Sequence, residues 1–185
     1  MLLHTDQAVL LAIDYQERIM RAMAQSEELC AAGMRLCQGA QLLGLPLLYT
    51  EQYPEGLGAS REDFQAIYTQ MGGRGFAKKV FNALALADFS QALDEQLGMG
   101  RKQFILAGVE AHICVRQTAL ALLDRGLEVY VAADACSSRR LEHRDWAYQE
   151  LRQLGARLCS VESLLYELLG GAEHPQFKAT AKLIK

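Results

Sequence analysis

A cysteine follows a short loop after one of the most apolar segments of the chain, in the run GVEAHIC at residues 108–114. Residues 103–107 are predicted to form a buried strand and residues 114–125 a helix. A thiol at the start of a helix lies near free backbone N–H groups and the positive end of the helix dipole, and both favour the thiolate. The pattern leaves two alternatives open for Cys114: a nucleophile, or the packing role of an ordinary buried cysteine.

Other polar residues also follow predicted strands. Asp14 ends the apolar run AVLLAI, and Glu51 and Asp134 come directly after two further apolar runs. In parallel α/β sheets ligands bind beyond the carboxyl ends of the strands, which makes these side chains candidates for a site. Asp14 is then either a general base or a cap for the next segment of the chain.

Two adjacent lysines, Lys78 and Lys79, lie in the glycine-rich segment MGGRGFAKKVFNAL. Lysines are mostly solvent-exposed, so the residues alone leave a functional lysine and a solvated pair as alternatives. Glycine-rich loops can cradle phosphates, but the patterns GxxxxGK[ST] and GxGxxG are both absent from the sequence. No nucleotide site is predicted.

The histidines and cysteines show no pattern of metal ligands. His4, His112, His143 and His174 are dispersed, without an HxH or HExxH spacing. The cysteines include no CxxC pair and are expected to be reduced thiols. The sequence therefore predicts neither a metal nor another cofactor.

The composition is that of a folded protein without a strongly charged surface. Hydrophobic residues make up 51% of the chain and the formal net charge is only −3, which is unlike a disordered or polyionic protein. The densest basic spot, Arg139, Arg140 and Arg144, is interpreted as a solvated face or the rim of a site. No apolar run approaches a membrane span and no signal-peptide pattern precedes Asp14. A cytoplasmic protein that binds neither nucleic acid nor a membrane is expected.

Strand-like and helix-like segments alternate along the chain. Strands are predicted at residues 8–13, 47–50, 76–80, 103–107, 128–133 and 157–160. Helices are predicted at residues 26–43, 88–97, 114–125, 143–154 and 161–169. Such alternation produces right-handed crossovers and a parallel sheet. The sequence predicts an α/β fold, a three-layer α/β/α sandwich with a mostly parallel sheet of about six strands, in one domain spanning residues 1–185.

Three separated segments together match one family. The runs LLAIDYQ, FAKKVFNAL and ILAGVEAHICVRQTALALLDRGLEVYVAADACSS resemble, in the same order, the Asp, Lys and Cys segments of the isochorismatase-like cysteine hydrolases. The runs YTEQYPEGLG and HPQFK add to a resemblance that covers nearly the whole chain and is closest to the isochorismatase domain-containing proteins.

This resemblance implies a catalytic triad. Cys114 would be the nucleophile, Asp14 the acid and base that takes and returns its proton, and Lys78 the cation beside them. Lys78 is preferred over its neighbour because an aromatic residue and a small polar residue then follow at the family's spacing. The family also implies a cis peptide bond between Val109 and Glu110, so that the N–H groups of Glu110 and Cys114 form an oxyanion hole.

The activity that this family implies is hydrolysis of a carbon–nitrogen bond other than a peptide bond, in a small substrate and through a thioester. A binding protein on the same scaffold and an isochorismatase-type ether hydrolase that works through Asp14 are the alternatives. Where nicotinamidases carry a metal-binding Asp-x-His, this chain has Gln52-Tyr53-Pro54. A homo-oligomer, a dimer or larger, is expected. Candidates for the substrate pocket are Glu51, Tyr53, Phe81, His112 and Arg139.

Overall fold

A parallel sheet forms the centre of the molecule. In the computed structural model, which describes residues 2–184, the strands are β1 (Ala8–Ile13), β2 (Leu47–Gln52), β3 (Arg74–Lys78), β4 (Gln103–Val109), β5 (Glu128–Ser137) and β6 (Arg157–Cys159). Their order across the sheet is β3-β2-β1-β4-β5-β6, and every neighbouring pair is parallel. The predicted α/β fold is confirmed.

Helices cover the sheet. Within residues 2–184 they are α1 (Glu17–Met20), α2 (Ser26–Leu42), α3 (Pro54–Leu57), α4 (Glu62–Gln70), α5 (Ala87–Gly98), α6 (Arg116–Asp124), α7 (Leu141–Gln153), α8 (Val161–Leu169) and α9 (Phe177–Ile184). A 3₁₀ turn spans Ala83–Ala85, and a π-helical turn at Ala111–Val115 precedes α6. In this part of the chain no helix combines the length and the hydropathy that crossing a membrane requires.

Two apolar cores, one on each face of the sheet, produce the three layers. Successive side chains of a strand point to opposite faces. Accordingly Leu10 belongs to a core that includes residues of α2 and α8, whereas Leu11 belongs to the core that includes residues of α5, α6 and α7. Every residue of β1 is buried, which explains why this strand is a continuous apolar run rather than an alternating one.

The sheet order places a crevice between β1 and β4. From β1 the chain proceeds outward through β2 to β3, and from β4 it proceeds outward in the opposite direction to β6. At such a reversal of strand order, the connections from the two central strands go to opposite sides of the sheet. A crevice is left outside the carboxyl ends of these strands, and ligands bind there. Asp14 and the loop that carries Cys114 follow these two strands.

Gly108 allows β4 to lie close to β1 at this crevice. Its φ is +133°, and a Cβ atom there would lie 2.0 Å from the carbonyl oxygen of Ile13. No other residue type fits this conformation and this distance. The glycine therefore determines where the loop to Cys114 begins.

Several element boundaries differ from the prediction. The third strand covers Arg74–Lys78 instead of residues 76–80, so Lys78 is its last residue. The helix after the cysteine begins at Arg116, because the π-helical turn comes first. Helices α4 and α9 were not predicted, because they are short and adjoin segments rich in turn residues.

Asp134 was wrong as a candidate for the site. Strand β5 continues through it to Ser137, after a shift in register against β4. The Asp134 carboxylate accepts a hydrogen bond from the Val161 N–H at 2.8 Å, at the start of α8. It therefore stabilises a helix end away from the crevice.

Candidate active site

Three side chains meet at the carboxyl edge of the sheet. Asp14 follows β1, Lys78 ends β3, and Cys114 lies in the π-helical turn after β4. The Lys78 Nζ lies 2.7 Å from Asp14 Oδ2, and both side chains are almost wholly buried, at 0% and 1% exposure. The Cys114 Sγ lies 3.9 Å from Gln52 Oε1, the same oxygen that accepts a hydrogen bond from Lys78 Nζ. The Asp14 charge raises the pKa of this thiol and the Lys78 charge lowers it. The structure thus brings together the three residues that the sequence singled out.

Strand β2 holds the Asp14 carboxylate in place. Asp14 has a positive φ of 54°, a conformation that aspartate adopts more readily than most residues. Its N–H donates to the carbonyl oxygen of Thr50 at 3.0 Å, and its Oδ1 accepts a hydrogen bond from Thr50 Oγ1 at 2.7 Å. The other carboxylate oxygen, Oδ2, is left to face Lys78.

Lys78 is fully buried, and two oxygens receive its ammonium. Besides Asp14, Gln52 Oε1 accepts a hydrogen bond from Nζ at 2.5 Å. A buried cation is costly unless it is paired and hydrogen-bonded, and both conditions hold here. The Lys79 ammonium, in contrast, lies outside the site, 5.0 Å from the centre of the exposed Tyr53 ring. The structure thus places Lys78, the lysine that the family resemblance favoured, in the site and Lys79 outside it.

The surroundings of the Cys114 thiol disfavour its ionisation, whereas the position before a helix had favoured the thiolate. Its pKa is raised to about 12, mainly by burial; the Asp14 charge also raises it, and the Lys78 charge opposes both effects. Helix α6 starts two residues later, so Cys114 is not in its first turn. A nucleophilic role would therefore require that the proton leave the sulfur during the reaction, and Asp14 is the carboxylate beside it.

The loop before Cys114 contains a cis peptide bond, between Val109 and Glu110. The Glu110 carbonyl oxygen accepts hydrogen bonds from the Ile113 and Val115 N–H groups, at 3.0 and 3.3 Å. The Glu110 carboxylate accepts from the Arg139 N–H and Nε, each at 3.1 Å. These contacts fix the loop at both its backbone and its side chain. The role of the Glu110 and Cys114 N–H groups as an oxyanion hole stays a prediction.

A cavity of about 340 Å³ opens onto Cys114. It is lined by Asp14, Arg18, Ile19, Ala22, Met23, Gln52, Leu57, Phe81, Val109, Glu110, Ile113, Cys114 and Arg139. Seven of these side chains are apolar, while the charged and polar groups include Asp14, Gln52 and Cys114. A concave, mostly apolar pocket with a few polar groups is typical of sites for small molecules.

The family model described as "Isochorismatase domain" matches residues 8–163. The chain belongs to the isochorismatase family. Isochorismatase domain-containing protein 2 of Homo sapiens is 39% identical over 178 residues, which cover 96% of this chain and 83% of the human protein. Isochorismatase domain-containing protein 1 of Danio rerio is 36% identical over 178 residues, and this chain spans only 61% of its length.

Solved structures of other proteins share this fold. The structure of MAR1 ribonuclease from Caenorhabditis elegans has a TM-score of 0.90 and 33% identity, covering 100% of this chain and 92% of the other. The YcaC gene product of Escherichia coli, described as an octameric hydrolase of unknown specificity, has a TM-score of 0.91 and covers 99% and 89% of the two chains. At 24% identity this second likeness shows the fold alone.

Two of the five predicted pocket residues, Phe81 and Arg139, line the cavity. Glu51, Tyr53 and His112 do not. The Glu51 carboxylate accepts from the N–H and Oγ of Ser60, at 2.7 and 2.8 Å, and Tyr53 is 45% exposed outside the cavity.

His112 belongs to a different cluster. Its Nδ1 lies 2.9 Å from Ser138 Oγ, and its ring centre is 4.9 Å from that of His143. With Trp146 these histidines line a second cavity. Within residues 2–184, no group of three or more His, Cys, Asp or Glu side chains is placed to hold a metal ion.

Gln52 is a part of the site that the sequence did not single out. It lies opposite Lys78 in the register of β2 and β3, and its side chain lines the cavity. The strand was predicted to end at Thr50, which left Gln52 in a turn-rich segment. Had the strand been predicted two residues longer, the alternation of side chains along a strand would have put Thr50 and Gln52 on the same face, at the carboxyl edge of the sheet.

The buried thiols of this isochorismatase-family chain predict a loss of stability at alkaline pH. Burial raises the pKa of Cys37, Cys114 and Cys136 from 9.0 to about 12. In the unfolded chain they ionise near pH 9, whereas the folded chain keeps them protonated. The stability that these thiols contribute to the folded chain is therefore fully present below pH 9 and is lost as the pH rises toward 12. For each thiol, the folding equilibrium constant falls by up to roughly tenfold per pH unit in this range.

Urea unfolding at pH 7, 9 and 10 measures this loss of stability. The range stops at pH 10 because the ionisation of tyrosines also lowers the stability, mainly at higher pH. The Cys136→Ala variant should show a shallower pH dependence than the parent between pH 9 and 10. An identical slope in both proteins would show that Cys136 is not held protonated.

Proposed function

We propose that the chain is a cysteine-dependent hydrolase that cleaves the carbon–nitrogen bond of a small amide through a thioester on Cys114. The observation that carries this proposal is the buried Asp14–Lys78 ion pair beside the Cys114 thiol, at the wall of a cavity of about 340 Å³. A buried ion pair beside a thiol in a cavity is the kind of grouping from which active sites are built, although structural ion pairs also occur.

The first half of the reaction forms the thioester. Asp14 takes the proton from Cys114 Sγ, and the sulfur attacks the amide carbon while the carbonyl electron pair moves to oxygen. The N–H groups of Glu110 and Cys114 would hold this oxyanion. When the carbonyl reforms, the C–N bond breaks, and the nitrogen takes the proton from Asp14 and leaves as ammonia or an amine.

The second half restores the enzyme. Asp14 takes a proton from water, and the resulting hydroxyl attacks the thioester carbon. The C–S bond breaks, the sulfur recovers its proton from Asp14, and the carboxylic acid leaves. Throughout, Lys78 keeps a positive charge beside Asp14, which stabilises the carboxylate where water is excluded.

The cavity supports a small substrate with an apolar acyl group. Ile19, Met23, Leu57, Phe81 and Ile113 provide apolar surface around the nucleophile. An acyl chain or ring that fills this space displaces water from the site, and it favours binding in proportion to the apolar area buried.

Ammonia release from a panel of primary amides tests the proposal. Acetamide, butanamide, hexanamide and benzamide are suitable probes, and we expect saturable release from at least one, with a preference for the larger acyl groups. Release no faster than in buffer for the whole panel would contradict it. Single-stranded RNA belongs in the same assay, because the worm relative is described as a ribonuclease. Our proposal expects no RNA cleavage that depends on Cys114.

We also propose a cytoplasmic homo-oligomer, a dimer or larger. The description of the E. coli protein as octameric supports self-association. Exposed Trp146 and Leu154, at 63% and 55% exposure, provide apolar surface for it. Sedimentation as a strict monomer at micromolar concentration would contradict the oligomer.

A further inference from the structure

Gln52 lies between the nucleophile and the buried lysine. Its Oε1 accepts a hydrogen bond from Lys78 Nζ at 2.5 Å and lies 3.9 Å from Cys114 Sγ. The side chain lines the same cavity as Cys114. A neutral acceptor oxygen is therefore fixed beside the atom that would attack the substrate.

The surrounding contacts set which end of the Gln52 amide faces the sulfur. Its Nε2 donates to the carbonyl oxygen of Lys79 at 3.1 Å, away from the thiol. The Gln52 backbone is held as well, because its N–H donates to Gln16 Oε1 at 2.7 Å and its carbonyl oxygen accepts from Gln16 Nε2 at 3.0 Å. Since Lys78 can only donate, the oxygen rather than the nitrogen must face it.

This oxygen has capacity for a second hydrogen bond. A carbonyl-type oxygen accepts two, and Lys78 uses one of them. The second donor at rest is the Cys114 thiol, a weak donor at a long distance. Once the thiol proton has passed to Asp14, that position is open to a donor on the substrate.

We propose that Gln52 Oε1 accepts an N–H of the scissile amide nitrogen and so selects primary carboxamides over esters of the same acid. This inference rests on the proposed thioester mechanism. In the reaction the sulfur bonds to the carbonyl carbon, so the attached nitrogen comes within about one bond length of the attacked atom. As the nitrogen takes the proton from Asp14 and the C–N bond breaks, its N–H groups become stronger donors, and the contact with Gln52 tightens toward the transition state.

An ester offers no such donor. Its leaving oxygen has only lone pairs to present to Gln52 Oε1, so the acceptor would remain unpaired or face another acceptor. A site built to accept an N–H discriminates strongly against an analogue that lacks it. Gln52 would thus determine specificity by direct contact with the substrate.

Matched pairs of substrates test this inference. The probes are the primary amide and the methyl ester of acetic, butanoic, hexanoic and benzoic acid, measured with the parent protein, Gln52→Met and Gln52→Glu. Methionine keeps the length of the side chain but removes the acceptor, whereas glutamate keeps acceptor oxygens. Gln70→Met, the same exchange on the exposed end of α4, is the control.

We expect Gln52→Met to lower kcat/KM for the amide by about 30-fold and for the matching ester by no more than about 3-fold, and Gln52→Glu to retain more of the amide preference. An equal loss for amide and ester would overturn the inference, since it would show that Gln52 acts only by positioning Lys78. Unchanged amide turnover in Gln52→Met would overturn it too. If the parent protein hydrolyses no member of any pair, the proposed function itself fails, and this inference fails with it.

Discussion

Replacing Cys114 with alanine is expected to lower kcat for amide hydrolysis by at least about a thousandfold, because the variant has no atom that can form the thioester. The fold should be preserved, since alanine fits the space and removes a thiol whose hydrogen-bond acceptor, Gln52 Oε1, is distant. Ammonia release under saturating substrate, together with urea unfolding, measures both effects.

Two further variants make this result specific. Cys159→Ala is the matched control, because it removes a thiol from β6, far along the sheet from the site, and should keep near-parental kcat. Cys114→Ser keeps a hydroxyl that is a weaker nucleophile and should still lose most activity. If Cys114→Ser and Cys114→Ala hydrolysed the substrate nearly as fast as the parent, a mechanism through Asp14 alone, as in the ether-hydrolase alternative, would replace the one proposed.

Replacing Lys78 with methionine is expected to destabilise the protein by about 3 to 5 kcal/mol and to abolish detectable turnover. The variant leaves the Asp14 carboxylate buried at 1% exposure without its cation. A buried carboxylate in that state becomes protonated or forces the site open, and neither form can accept the thiol proton. Urea unfolding at pH 7 gives the change in the free energy of unfolding.

The double variant Asp14→Asn/Lys78→Met separates structure from catalysis. Removing both charges together should restore most of the lost stability, since the asparagine side chain would be neutral and the Thr50 hydroxyl could still donate to its oxygen. Activity should stay absent because no base remains. A double variant as unstable as Lys78→Met would mean that the pair is not held together by mutual charge compensation.

The sequence pattern was sufficient to predict the fold, and together with the family resemblance it predicted the meeting of Asp14, Lys78 and Cys114. Continuous apolar runs such as β1 identify strands covered on both faces, and parallel strands end at a common edge. Residues that follow those strands, such as Asp14, are therefore expected at that edge. The family resemblance added the choice of Lys78, which periodicity alone could not make, because Lys78 and Lys79 differ by one position on a short strand.

Contacts between distant segments could not be predicted. The bond from Gln52 to Lys78 depends on β2 running two residues further than its apolar run suggests. The thiol pKa depends on how deeply the completed fold buries Cys114, and this outweighs the helix dipole that the local pattern suggested. His112 lies only two residues before Cys114, but the π-helical turn places it at another cavity.

The most direct test of the proposed mechanism is to trap the intermediate. The parent protein is mixed with the best amide of the panel, quenched in acid within milliseconds to seconds, and analysed by intact mass and peptide mapping. We predict a mass increase equal to the acyl group minus one hydrogen, located on Cys114, lost on treatment with hydroxylamine and absent from Cys114→Ala. Turnover with the acyl group on another residue, or undiminished turnover by Cys114→Ala, would contradict the central claim that Cys114 is the nucleophile.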